Sequence, residues 1–130
     1  MTARVEGQES RVEGFQDLLV WKRSMSLVRT VYEISKQFPA DERFGLTSQI
    51  RRAAVSIPSN IAEGHQRHTT REYIRFISDA EGSLAEVSTQ LRIAVDLKFC
   101  DGSSIAPILG ETDEIRRMLN ALRRSLNARL

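Results

Sequence analysis

Residues 69–98 read TTREYIRFISDAEGSLAEVSTQLRIAVDLK, and this stretch decides the fold. It opens as a capping box, the Thr69 hydroxyl serving the amide three residues on and Glu72 reaching back. Behind it Tyr73, Ile77, Ala80, Leu84, Val87, Leu91 and Ala94 recur at steps of three and four, a heptad-like seam that runs to about Lys98. Working outward, the spacing predicts three more helices. One covers about Leu46 to Gly64, with Ile50, Ala53, Ala54, Ile57 and Ile61 on its stripe and Gly64 as its stop. Another runs from about Asp17, as N-cap or first-turn acid, to Gln37, with Leu18, Trp21, Met25, Val28 and Tyr32 on its stripe and Pro39 ending it. After an Asp101-Gly102-Ser103 turn, the last runs from about Ser104 to near the C-terminus. Pro107 falls in its first turn, and Ile108, Thr112, Ile115, Leu119, Leu122 and Leu126 form its seam. No segment alternates with period two for long enough to suggest a strand. Four amphipathic helices with short connections predict an all-α protein, an antiparallel up-and-down four-helix bundle.

The length of 130 residues suits one domain, expected over 15–130, behind a disordered polar tail at 1–14. That tail mixes Arg4, Glu6, Glu9, Arg11 and Glu13 and has no apolar core of a signal peptide. No apolar run of about 18 residues exists, so no membrane span is expected. A lone Cys100 cannot form an internal disulfide, and a cytoplasmic location is expected.

Charge is informative through its placement. The formal net charge is only +2, yet among 19 basic residues only Lys22, Lys36 and Lys98 are lysine and the rest are Arg. Arg grips carboxylate and phosphate with a planar, bidentate fork. Residues 43–75 carry six Arg against Glu63 and Glu72, a net of +4. Residues 76–114 carry Arg92 and Lys98 against eight acids, a net of −6, and residues 115–130 carry five Arg and no acid. These opposed segments can pair between helices or between subunits, or leave Arg-rich faces that bind phosphate.

Catalytic chemistry is not indicated. A di-iron bundle needs Glu-x-x-His pairs, and neither His65 nor His68 has a Glu three residues before it. The two histidines are expected to be solvated loop residues, and Cys100 a small buried residue near the end of its helix. No phosphate-cradling Gly-rich loop, nucleophile elbow or paired metal-ligand motif occurs. Neither a metal nor a cofactor is expected, and the protein is expected not to be an enzyme.

The second helix carries a compact polar stripe. At 100° per residue Ser48, Arg52, Ser56, Ser59 and Glu63 fall within an arc of about 80°, with Asn60 on its flank. Such a stripe is either an interhelical or intersubunit polar network, or a ligand or nucleic-acid face. Pro58 interrupts the same helix, where Ser56 and Ser59 can satisfy the freed backbone groups. Gly82 interrupts the third helix and is expected to admit a neighbouring backbone at close range. Trp21, Tyr32, Tyr73 and Phe76 are assigned to the core, so nucleic acid would be held by Arg on the phosphate backbone, with little sequence readout.

The run from Ser48 to Gly64, SQIRRAAVSIPSNIAEG, resembles the signature of a bacterial four-helix bundle family, the proteins encoded in intervening sequences of 23S ribosomal RNA genes. Further matching pieces are Phe15-Gln16-Asp17-Leu18 with Trp21, Phe38-Pro39, and Gly82-Ser83-Leu84 with Glu86, so that the resemblance spans about 15–126. It implies a ring, typically a homopentamer, and kinship with the basic accessory variability determinant of diversity-generating retroelements, which binds nucleic acid. The motif positions carried over are Arg52, Ser56, Pro58, Asn60, Glu63, Gly64, Gly82, Ser83 and Glu86. Two functions follow as expectations. One is a non-enzymatic ring that associates with RNA or DNA through Arg51, Arg52, Arg116, Arg117, Arg123 and Arg124, beside Ser56, Ser59, Asn60 and Glu63. The other is an interaction scaffold in which those Arg pair with acids of the third helix or of neighbouring chains.

Overall fold

The computed structural model describes residues 14–130, so the expected tail lies outside the described residues apart from Gly14. Four helices follow one another: α1 (Leu19–Ser35), α2 (Leu46–His65), α3 (Thr70–Asp96) and α4 (Gly102–Asn127). Single 3-10 turns at Phe15–Asp17 and Ala40–Glu42 precede α1 and α2. Each helix packs on its chain neighbours and α4 returns to α1, closing the four-helix bundle.

At the α3 start the Thr69 hydroxyl accepts from the Glu72 amide at 3.1 Å, the first of the two bonds expected of the box. The far end of α3 is less ordinary. Lys98 adopts φ 63°, the Lys98 amide donates to the Val95 carbonyl, and the Phe99 amide donates to the Ala94 carbonyl at 2.8 Å. This is a Schellman termination, a place where glycine avoids the left-handed strain that Lys98 carries. α2 begins without a capping residue of its own type. There the Glu42 carboxylate accepts from the Leu46 amide at 2.9 Å and does the capping from the preceding turn.

The core combines the expected stripes of α2, α3 and α4 with a different stripe of α1. Ile50, Ala54, Ile57, Ile61, Ile77, Val87, Leu91 and Leu119 are wholly inaccessible. In α1 the buried residues are Val20, Ser24, Leu27, Val31, Ile34 and Ser35, about 100° around the helix from the predicted Leu18–Tyr32 stripe. The reason is Ser24. Its hydroxyl donates to the Val20 carbonyl at 2.8 Å, so a polar residue is satisfied inside the helix and can be buried. The predicted stripe is left at the edge: Trp21, Met25 and Val28 line an open apolar groove of about 300 Å³ with Val55, Pro58 and Ala62 of α2. Tyr32, expected in the core, is exposed.

Local details correct other expectations. Leu18, not Asp17, caps α1, and Asp17 closes the preceding 3-10 turn. α4 begins at Gly102 on an Asp101 cap, which places Pro107 beyond the first turn. Gly64 does not stop α2, which continues to His65. Gly64 is buried, and a Cβ there would lie 2.9 Å from Phe76 Cβ and 3.0 Å from Tyr73 Cδ1, so its role is to let α2 close on α3. Gly82 is the reverse: a Cβ at that position meets nothing within 4 Å, and no backbone approaches it. Among the described residues, no helix is long and apolar enough to cross a membrane.

Candidate nucleic-acid interface

α2 continues through Pro58, which is buried. The serines beside it do not share the task expected of them. Ser56 donates to the Ala53 carbonyl at 3.1 Å, and Asn60 Nδ2 donates to the Ser56 carbonyl at 2.8 Å. Ser56 also hydrogen-bonds to Ser83, tying the polar stripe of α2 to α3. Ser59 stays exposed. Part of the stripe is therefore an interhelical network, and the rest faces outward.

The outward part is Arg-rich. Arg43, Phe44, Ser48, Arg51, Arg52 and Tyr32 border one open depression of about 640 Å³. Ser56 and Ser59 also border it. Arg51 is positioned from two directions, its Nε donating to Ser35 Oγ at 2.8 Å and its Nη2 to the Tyr32 carbonyl at 3.3 Å. The guanidinium lies over the Tyr32 ring, 4.5 Å from the centroid. Arg43 sits 4.8 Å over the ring of Phe44, which is 86% exposed. Arg52 donates to Ser48 Oγ at 3.2 Å and is exposed. Among the described residues no carboxylate borders this depression. Two acids close by in sequence have their own partners, Glu42 at the Leu46 amide and Glu33 at Lys36, and Asp41 is exposed in the turn before Arg43.

The other predicted residues are placed apart from it. Glu63 borders a separate shallow site with Phe15 and Arg67. Arg116 lines a groove between α3 and α4 that also holds Glu81, Arg92 and Asp113. Arg116 and Arg117 both bind Asp113 of their own helix, at 2.6 and 2.8 Å. The hydrogen bond from Arg116, aided by the charge of Arg117, holds the Asp113 carboxyl below the usual carboxylate range against a desolvation effect. Among the described residues only Arg123 meets an acid of α3, Glu81, at 2.9 Å. Among the described residues Arg51, Arg52 and Arg124 have no carboxylate partner, so within one chain the expected pairing with α3 is confined to Arg123.

One of the two histidines differs from expectation. His65 ends α2, half-buried, with Nδ1 3.3 Å from the Tyr73 hydroxyl. Burial pushes the Tyr73 phenol up, opposed by the charge of Arg129. His68 is exposed in the connection. Cys100 follows the end of α3 and is buried as expected. Burial, with the Asp101 charge beside it, pushes its thiol up and away from nucleophilic use. Among the described residues no cluster of His, Cys, Asp or Glu is suited to a metal ion.

The sequence missed Phe44 and the exposure of Tyr32. Phe44 belongs to no periodic stripe, and the one available signal was Arg43-Phe44 in a turn directly before the Arg51-Arg52 pair.

Comparisons with known proteins place this geometry in context. No curated protein matches the sequence. A crystal structure of a protein of unknown function from the S23 ribosomal protein family of Bacteroides thetaiotaomicron superposes with a TM-score of 0.75 at 20% identity, covering 81% of this chain and 98% of that one. The similarity establishes the shared fold. The family model for 23S rRNA-intervening sequence proteins matches residues 16–121, which takes in all of the α1–α3 framework and most of α4, and the chain belongs to that family.

Proposed function

We propose that this chain is a non-enzymatic, cytoplasmic protein that assembles into a ring and associates with RNA or DNA through Arg–phosphate contacts. One observation carries the proposal: Arg43, Arg51 and Arg52 share a depression that, among the described residues, no carboxylate borders. A fork already fixed by Ser35 and Tyr32 loses little further freedom on meeting a phosphate. The open groove of Trp21, Met25, Val28 and Pro58 is an apolar face that a second copy would cover, which supports assembly. The pairing of His65 with Tyr73 and the raised Cys100 thiol favour a non-catalytic role.

Fluorescence anisotropy with labelled RNA and DNA, read across a salt series, tests the nucleic-acid function. Binding should weaken steeply as salt rises, and Arg52→Gln should reduce the log–log slope by about one. Absence of binding at low salt removes the proposal. A second reading has its own support. Exposed Asp79 and Glu86 on α3 and the Arg without carboxylate partners on α2 and α4 are complementary charges that two copies of a scaffold could pair. In that case, charge reversal at Asp79 and Glu86 lowers the assembled mass in solution and nucleic acid never binds.

A further inference from the structure

We propose that the depression at the α1–α2 connection takes unpaired nucleobases, so that the preferred ligand is single-stranded RNA or DNA or an open loop. This rests on the nucleic-acid reading above and specifies its ligand.

Phosphate contacts alone call for charge and nothing more. This depression holds more than charge. Phe44 stands 86% exposed and Tyr32 41% exposed on its border, each with a guanidinium over one face of its ring. A single exposed aromatic is ordinary on a protein surface, but two beside three Arg and, among the described residues, no acid are a concentrated arrangement. Its volume of about 640 Å³ is that of a small-ligand site.

The components match what a single strand requires. Unstacked bases pack on aromatic rings and on guanidinium planes, while Arg follows the phosphates between them. Phe44 supplies an open ring, Arg51 a guanidinium held over Tyr32 by its bonds to Ser35 and the Tyr32 carbonyl, and Arg52 an exposed fork for phosphate. A regular duplex keeps its bases stacked inside and cannot use Phe44.

The test compares a labelled oligo-uridylate of about 12 nucleotides with a duplex of the same length, against wild type, Phe44→Leu, Tyr32→Leu and Arg52→Gln. The expected result is tighter single-strand binding, lost about tenfold in Phe44→Leu with an unchanged salt slope and with duplex binding untouched. Arg52→Gln should instead weaken both ligands and lower the slope. Equal affinity for strand and duplex, unaffected by Phe44→Leu, overturns the base-stacking proposal and leaves Arg–phosphate association standing. No binding of either ligand overturns both. A Phe44→Leu variant that changes the assembled mass but not the affinity assigns the ring to contact between copies and also overturns the proposal. Both aromatic variants should keep the wild-type helical circular dichroism, since neither side chain belongs to the core.

Discussion

The two faces of α2 are made from neighbouring residues and should tolerate change very differently. Inward, Ile57 and Ile61 are wholly buried, and Gly64 leaves no room for a methyl group against Phe76. Outward, Val55 is 41% exposed, and Arg52 and Ser59 border an open depression. The inner face is read by volume, because a packed core feels each methylene. The outer face is read by charge and ring surface, and its changes should register in binding rather than stability. One helix thus carries both the rigidity that positions the Arg forks and the surface that presents them.

The sharpest way to break this contrast is a pair of substitutions. Ile57→Ala should cost about 3 kcal/mol in chemical denaturation, while Arg52→Gln stays within about 0.5 kcal/mol. Equal costs would show that the outer face is covered in solution. Glycine substitutions sharpen the comparison by sign. Gly64→Ala should destabilise by about 1–2 kcal/mol, because Phe76 Cβ is fixed to its backbone and cannot give way. Gly82→Ala, facing open space on α3, should stabilise by about 1 kcal/mol through helix propensity. If Gly82→Ala instead lowers the assembled mass by light scattering, that face of α3 meets another copy.

Away from α2, Lys98→Gly relieves the left-handed residue that ends α3 and should raise the denaturation midpoint, by about 1 kcal/mol in stability. The smallest effect belongs to a part-exposed ion pair. Arg123→Gln removes the partner of Glu81 and should cost about 0.5 kcal/mol, an amount that shrinks at high salt.

Three of the four core stripes were legible as periodicity. Ile50, Ile57 and Ile61 of α2, Ile77 to Ala94 of α3, and Ile108 to Leu126 of α4 repeat at helical spacing without a polar interruption that misleads. α1 misled because it carries two apolar stripes, and the buried one includes Ser24, whose satisfied hydroxyl is invisible in a hydropathy pattern. The candidate site was half legible. Ser48, Arg52, Ser56 and Ser59 were visible as one polar arc and do border a common depression, whereas Glu63 of the same arc lies apart from it. Tyr32, Arg43 and Phe44 come to that depression from α1 and from the connecting turn, and no spacing rule relates residues across a turn.

By itself the sequence determined the helices, their number and the faces of α2, α3 and α4 that turn inward. These follow from local hydrogen bonding and from the 3.6-residue period, both properties of a chain segment alone. Tertiary structure decided which stripe of α1 is buried, why α2 needs Gly64 and α3 does not need Gly82 for packing, and which Arg keep carboxylate partners. Those outcomes depend on what lies opposite each residue: Phe76 opposite Gly64, Glu81 opposite Arg123, and open solvent beside Arg52 and Phe44.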